Sequence, residues 1–154
     1  MKYILPCDIG GTDLKFGILD SNYTFHESGS IPTKAKEGGQ AIITQIIDIF
    51  NNYKNKYLIA GIALSSAGII NPLTTEVLDA TNAISNYIGL NIRAEIQKQL
   101  NIPISVENDV NCILIPEFDR MKEMAMENGA LGFGISGSGP TVFSLFRSPD
   151  DAQE

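Results

Sequence analysis

Two polar clusters at the ends of apolar runs hold the residues best able to do chemistry in this chain. The first is Asp8-Ile9-Gly10-Gly11-Thr12-Asp13, set between the runs Tyr3-Ile4-Leu5-Pro6-Cys7 and Leu14-Lys15-Phe16-Gly17-Ile18. Adjacent glycines let a backbone turn come close to a ligand and aim N–H groups at anionic oxygens, as a turn lined by side chains does not. Asp8 leaves the first run where a carboxylate can hold a water or a Mg²⁺ ion. An ordinary hairpin has the same composition, so Gly10-Gly11-Thr12 alone does not decide between a ligand loop and a simple turn. The second cluster is Glu107-Asn108-Asp109-Val110-Asn111, which ends the apolar run Pro103-Ile104-Ser105-Val106. Between the two lie Ala60-Gly61-Ile62-Ala63-Leu64-Ser65-Ser66-Ala67-Gly68 and Asp79-Ala80-Thr81-Asn82.

The elements that must position these clusters read as α/β. Residues 3–7, 14–19 and 23–30 are strand candidates, spaced closely enough for antiparallel hairpins. Pro32 and the Gly38-Gly39 pair mark a loop. Ile42, Ile43, Ile46, Ile47, Ile49, Phe50 and Tyr53 then recur with a helical period and a wide apolar stripe. Residues 58–64 form a nearly all-apolar strand, as expected of one covered on both faces. A short strand is expected at 76–78 within a looser stretch. Ile92, Ile96 and Leu100 are spaced for a helix, and Pro103 separates it from a strand at 104–106.

The ordered motifs DIGGT, SSAG, ATN and END resemble the ROK family of sugar kinases and sugar-responsive regulators. The resemblance runs from Lys2 to about Cys112. It implies an actin-like (ribonuclease H-like) ATPase N-terminal lobe over residues 1–112, a mixed sheet with flanking helices. It also implies ATP-dependent phosphorylation of a sugar hydroxyl on a hexose or N-acetylhexosamine, with ATP and Mg²⁺ as cofactors. By the same resemblance Asp109 is the catalytic base, and Asn108 and Asn82 hydrogen-bond sugar hydroxyls. Gly68 matches the loop beside the sugar, although that loop here reads Ser65-Ser66-Ala67-Gly68 where the family more often has Gly-x-Pro-Gly. Asp8, Gly10, Gly11 and Thr12 match the phosphate and Mg²⁺ loop, and Lys15 matches a position that is often basic. Each residue also has a plainer reading. Asp109 can cap a helix, Asn82 can cap a turn, and Lys15 in an alternating strand can be simply solvated. Glu107 is expected to shape the site rather than act as a second base. A regulator of this family would carry a helix-turn-helix ahead of the DIGGT strand, which here starts at Lys2.

Beyond Cys112 the sequence departs from that pattern. A helix is expected over 118–127, with Phe118, Met121, Met124 and Ala125 on one side and Asn128-Gly129 as its cap. The run Gly129-Ala130-Leu131-Gly132-Phe133-Gly134-Ile135-Ser136-Gly137-Ser138-Gly139-Pro140 resembles the C-terminal glycine motif of the GHMP kinases, most of all homoserine kinase. Residues 113–154 therefore read as a helix plus a glycine-rich β-hairpin of GHMP type, in which Gly134–Gly139 either accept an anion or only let two strands pack. The combination implies a chain joined from two kinase families, or a truncated one, with little activity alone. A homoserine-kinase-like fragment and a non-catalytic sugar-binding lobe are the alternatives.

Composition narrows the partners. The chain has 154 residues and a formal net charge of −7, so no basic stripe is present to neutralise nucleic-acid phosphates. Its apolar runs are too short for a bilayer and it lacks a signal-peptide pattern, so a cytoplasmic location is expected with no membrane partner. Cys7 and Cys112 have no CxxC spacing and read as reduced structural thiols. The single histidine, His26, lies in a polar stretch and is expected to be exposed rather than catalytic. Neither composition nor motif spacing fixes an oligomeric state.

Overall fold

The computed structural model describes residues 1–22, 24–109, 127, 132–136 and 141–145. The chain divides into two compact units, Met1–Asp109 and Val110–Glu154.

The first unit is built on a five-stranded mixed sheet in the order β3-β2-β1-β4-β7. β1 (Tyr3–Ile9), β2 (Asp13–Asp20) and β3 (Phe25–Pro32) form an antiparallel meander. β4 (Ile59–Ser66) and β7 (Ile104–Asn108) then add in parallel to β1, each reached through a helical connection. Parallel neighbours need such crossovers, whereas the short connections of the meander, residues 10–12 and 21–24, permit only antiparallel pairing. The carboxyl ends of β1, β4 and β7 therefore lie along one rim of the sheet.

Strand alternation sorts the side chains into two faces. Leu5, Cys7 and Ile9 of β1 are in register with Ile62, Leu64 and Ser66 of β4, and Ile62 and Leu64 with Ile104 and Val106 of β7. The apolar members of this face join one buried cluster with Ile42, Ile43, Ile46, Ile47, Ile49 and Phe50 of α1 (Gly39–Tyr53). Ile92 and Ile96 of α2 (Ile92–Gln97) and Leu100 belong to the same cluster. Burial pushes the Cys7 thiol up to about 12, in keeping with an inert structural role. Cys112 lies outside the described residues.

Two polar ties set how the ends of these elements meet. Gln45 falls on the buried side of α1; its Oε1 accepts from the Lys34 amide at 3.0 Å and its Nε2 donates to the Pro32 carbonyl at 2.9 Å. The end of β3 is thereby fixed to the helix. The short 3₁₀ turn Ala35–Glu37 between them receives the Ser85 amide at the Ala35 carbonyl, and the Gly39 amide donates to Ser85 O at 3.0 Å. A two-stranded antiparallel pair, β5 (Ile69–Ile70) and β6 (Val77–Asp79), follows β4 and leads into the loop of residues 80–91.

In the second unit β8 (Gly132–Ser136) and β9 (Thr141–Leu145) pair antiparallel. The helix expected over 118–127 lies outside the described residues except for Glu127, as do Gly137–Gly139 and the chain end.

Candidate functional site

The rim formed by β1, β4 and β7 collects the residues singled out in the sequence. Asp8 stands one residue before the end of β1, where it is half-buried and in register with Ser65 of β4 and Lys15 of β2. Ser65 in turn pairs with Glu107 of β7. Lys15, Asp8, Ser65 and Glu107 thus form one row across four strands, on the face opposite the core. At the usual strand spacing Asp8 and Glu107 are about 10 Å apart along the backbone of that row.

The glycine turn joins β1 to β2 directly. Gly10 N–H is turned inward onto the Asp13 carbonyl at 3.1 Å, so it closes the hairpin and is not offered to a ligand. Gly11 and Thr12 are exposed at the tip. The Thr12 carbonyl accepts the Thr33 amide at 2.8 Å, which ties the tip to the end of β3. A Cβ placed on Gly11 would come within 3.3 Å of the Ala83 Cβ. The turn therefore sits against the loop that carries Asn82, which is exposed beside it. Gly11, Thr12, Ala83 and Lys34–Glu37 line an open cleft of about 720 Å³.

The second cluster closes the rim from the other side. Asn108 ends β7 opposite Ser66, and its side-chain amide donates to the Gly68 carbonyl. Gly68 has φ +98, and a Cβ there would lie 2.5 Å from the Asp79 carbonyl oxygen. A glycine is needed at this turn on both counts. The Glu107 carboxylate accepts the Asn108 amide at 2.8 Å. Asp109 follows at once, half-buried and already helical. It is the first residue past the carboxyl end of a strand, the place where open α/β sheets present side chains to a crevice.

The structure thus brings Asp8, Lys15 and the glycine turn together, and joins Gly68 to Asn108, the residue before Asp109. Asn82 approaches the turn through its neighbour Ala83. Sequence reading missed one part of the site, the loop support. Ser66, fully buried, and Tyr87, 2% exposed, share a hydrogen bond of 2.5 Å between their hydroxyls. The signal was present in the alternation Ile62, Leu64, Ser66, which puts a hydroxyl on the core face. His26 is exposed, as expected, and lies far from the rim; its Nε2 is nonetheless 2.8 Å from the buried Asp20 carboxylate, and its ring packs edge-on to Tyr3.

A family model described as the ROK family matches residues 4–128. The chain belongs to the ROK family. The match carries past Cys112 into the segment likened to homoserine kinase, a likeness that is not shown. The chain is 37% identical over 111 residues to an uncharacterised protein of Clostridium perfringens, covering 72% of this chain and 38% of that protein. It is 28% identical over 114 residues to a β-glucoside kinase of Listeria monocytogenes, covering 74% of this chain and 37% of that enzyme. The chain spans well under half the length of these curated relatives. Among solved structures, a ROK family glucokinase from Streptomyces griseus in complex with glucose and AMPPNP superposes with a TM-score of 0.66. At 21% identity, over 75% of this chain and 36% of that one, it shows the shared fold. The ROK mixed sheet with its flanking helices is the fold of the actin-like ATPase N-terminal lobe. Curated ROK relatives include β-glucoside kinases, a glucokinase and an N-acetyl-D-glucosamine kinase, and one solved relative is a ROK family transcriptional regulator. Among the described residues no helix is long and apolar enough to cross a membrane.

Proposed function

We propose that this chain is the sugar-side half of a ROK-type kinase, acting in the transfer of the γ-phosphoryl group of ATP to a hydroxyl of a hexose or N-acetylhexosamine. Family membership supports the reaction class. The observation that carries the reading is the clasp of the Asn108 side chain on the Gly68 carbonyl, because it places the Asp109 segment and the Gly68 loop around one point on the rim.

In this reading Asp109 accepts the proton of the attacking hydroxyl as its oxygen bonds to phosphorus and the bond to the β-phosphate oxygen breaks. Asn108 and Asn82 hold neighbouring hydroxyls, since an amide both donates and accepts. Gly68 lets the backbone approach the sugar. Gly11 and Thr12 face the transferring phosphate from the turn that Gly10 closes, and Lys15 lends positive charge beside Asp8. Asp8 suits Mg²⁺, which binds through one or two carboxylates, retained waters and substrate phosphates. The ion would neutralise charge on the triphosphate.

Phosphoryl transfer is mostly positioning and charge stabilisation, so it needs both walls of the nucleotide cleft. The described residues form one wall. The isolated chain is therefore expected to bind sugar no tighter than about millimolar, because contacts are one-sided and ordering is uncompensated. ATP-dependent phosphorylation should stay at background. A coupled assay over hexoses, N-acetylhexosamines and homoserine, with Asp109→Ala as control, tests this. Hexose turnover that vanishes in Asp109→Ala would keep the kinase reading and overturn the one-wall argument. Homoserine turnover insensitive to Asp109 would move the function to residues 113–154.

A further inference from the structure

Tyr87 lies in the same loop as Asn82, between β6 and α2, and its ring is buried against the start of α1. A Cβ on Gly39 would come within 3.0 Å of that ring. The phenol reaches across to Ser66 at the carboxyl end of β4, with 2.5 Å between the oxygens. Ser66 Oγ also donates to the Ala67 carbonyl at 3.1 Å. With the serine proton on Ala67, the phenol is the donor to Ser66. One short chain of hydrogen bonds thus runs from the 80–91 loop into the Ala67-Gly68 turn. That turn is the one whose Gly68 carbonyl holds Asn108.

The rest of the loop is tied to other parts of the fold. Ser85 bonds the 3₁₀ turn and the start of α1, while Gly89 and Leu90 bond Val77 of β6. Tyr87 hydrogen-bonds the loop to the rim strand β4 through Ser66. Burial raises the phenol pKa against the smaller lowering effect of the Ser66 bond, so the donor stays protonated across the neutral range. A buried hydroxyl pair of this kind has one good arrangement, because removing either oxygen leaves its partner unsatisfied where water does not reach.

We propose that Tyr87 and Ser66 are positioning residues: their buried hydroxyl pair fixes the Asn82 loop relative to the Gly68 turn and so sets the spacing of the groups that meet the sugar. The proposal rests on the sugar-kinase reading for what is positioned. The fixing of one loop by the other stands on the geometry alone.

The test is a double-mutant cycle on the ¹⁵N-labelled chain with Tyr87→Phe, Ser66→Ala and the pair combined. Two quantities are read below the unfolding transition: amide exchange in residues 80–86, and the dissociation constant for glucose by chemical-shift titration. Each single variant is expected to speed exchange in 80–86 about tenfold and to weaken glucose binding by a similar factor, with β1 amides unchanged. The double variant should be no worse than either single one, since both act through one bond. A structural role alone would lower the unfolding temperature and leave the glucose constant of the folded protein unmoved. Unchanged exchange in either single variant, or effects that add in the double, would overturn the proposal. If Tyr87→Phe fails to fold, Ser66→Ala reads the same bond. Absence of glucose binding by the unmodified chain would sink the sugar reading instead, while exchange in 80–86 would still decide whether the pair fixes the loop.

Discussion

The side-chain amide of Asn108, the last residue of β7, donates to the carbonyl oxygen of Gly68 in the turn that follows β4. Two strands that already pair in register from Ile62–Ile104 to Ser66–Asn108 are thereby locked at their carboxyl ends as well. The turn cannot move without moving the residue next to Asp109.

Gly68→Ala should break this lock. The added methyl meets the Asp79 carbonyl at 2.5 Å in a backbone with φ +98. The expected loss is about 1–3 kcal/mol, read as a shift of the denaturant midpoint. Asn108→Ala should lose about 1 kcal/mol by removing the hydrogen bond without the backbone clash. Equal stability of Gly68→Ala and the parent chain would show that the turn relaxes freely.

Acid should loosen the end of the sheet opposite the rim. The His26 hydrogen bond, then the amide of Thr24, hold the Asp20 carboxyl below the usual aspartate range. A carboxylate with a lowered folded pKa supplies stability that is complete above its unfolded value and is lost as pH falls through the lowered one. The unfolding temperature should therefore drop on acidification below about pH 3.9, the ordinary aspartate value. Asp20→Asn should flatten that drop. A drop of the same steepness in Asp20→Asn would assign the acid lability to other carboxylates.

Asn91 caps α2, accepting the Ala94 amide at 3.0 Å and the Thr75 hydroxyl at 3.2 Å. Asn91→Ala should cost about 1 kcal/mol, whereas Asn91→Asp should keep most of the cap. Thermal unfolding of the two variants separates a capping role from a purely packed one.

Sequence periodicity located the long elements because α1 and β4 bury most of their apolar residues, and burial is what periodicity records. It placed the end of β4 too early, at Leu64. Ser66 continues the core face, but a polar residue there reads as a strand end until Tyr87 is seen to satisfy it. The helix marked by Ile92, Ile96 and Leu100 ends as a regular helix at Gln97, with Leu100 carried into the core by the turn that follows. β5 and the 3₁₀ turn are too short to leave a pattern. The motifs marked Asp8, Gly68, Asn108 and Asp109 as neighbours because parallel strands bring their carboxyl ends to one rim. The inward-facing Gly10 amide was not legible, and the alternation that puts Ser66 on the core face did not name Tyr87 as its partner, since each depends on a group distant in space or hidden in a turn.

The most direct test of the central claim is a chemical-shift titration of the ¹⁵N-labelled chain with glucose and N-acetylglucosamine. The account predicts saturable, about millimolar binding, with the largest shifts at Gly68, Asn82, Asn108 and Asp109 and little change at His26 and Asp20. Shifts that fail to saturate, or that saturate while centred away from the rim of β1, β4 and β7, would contradict it.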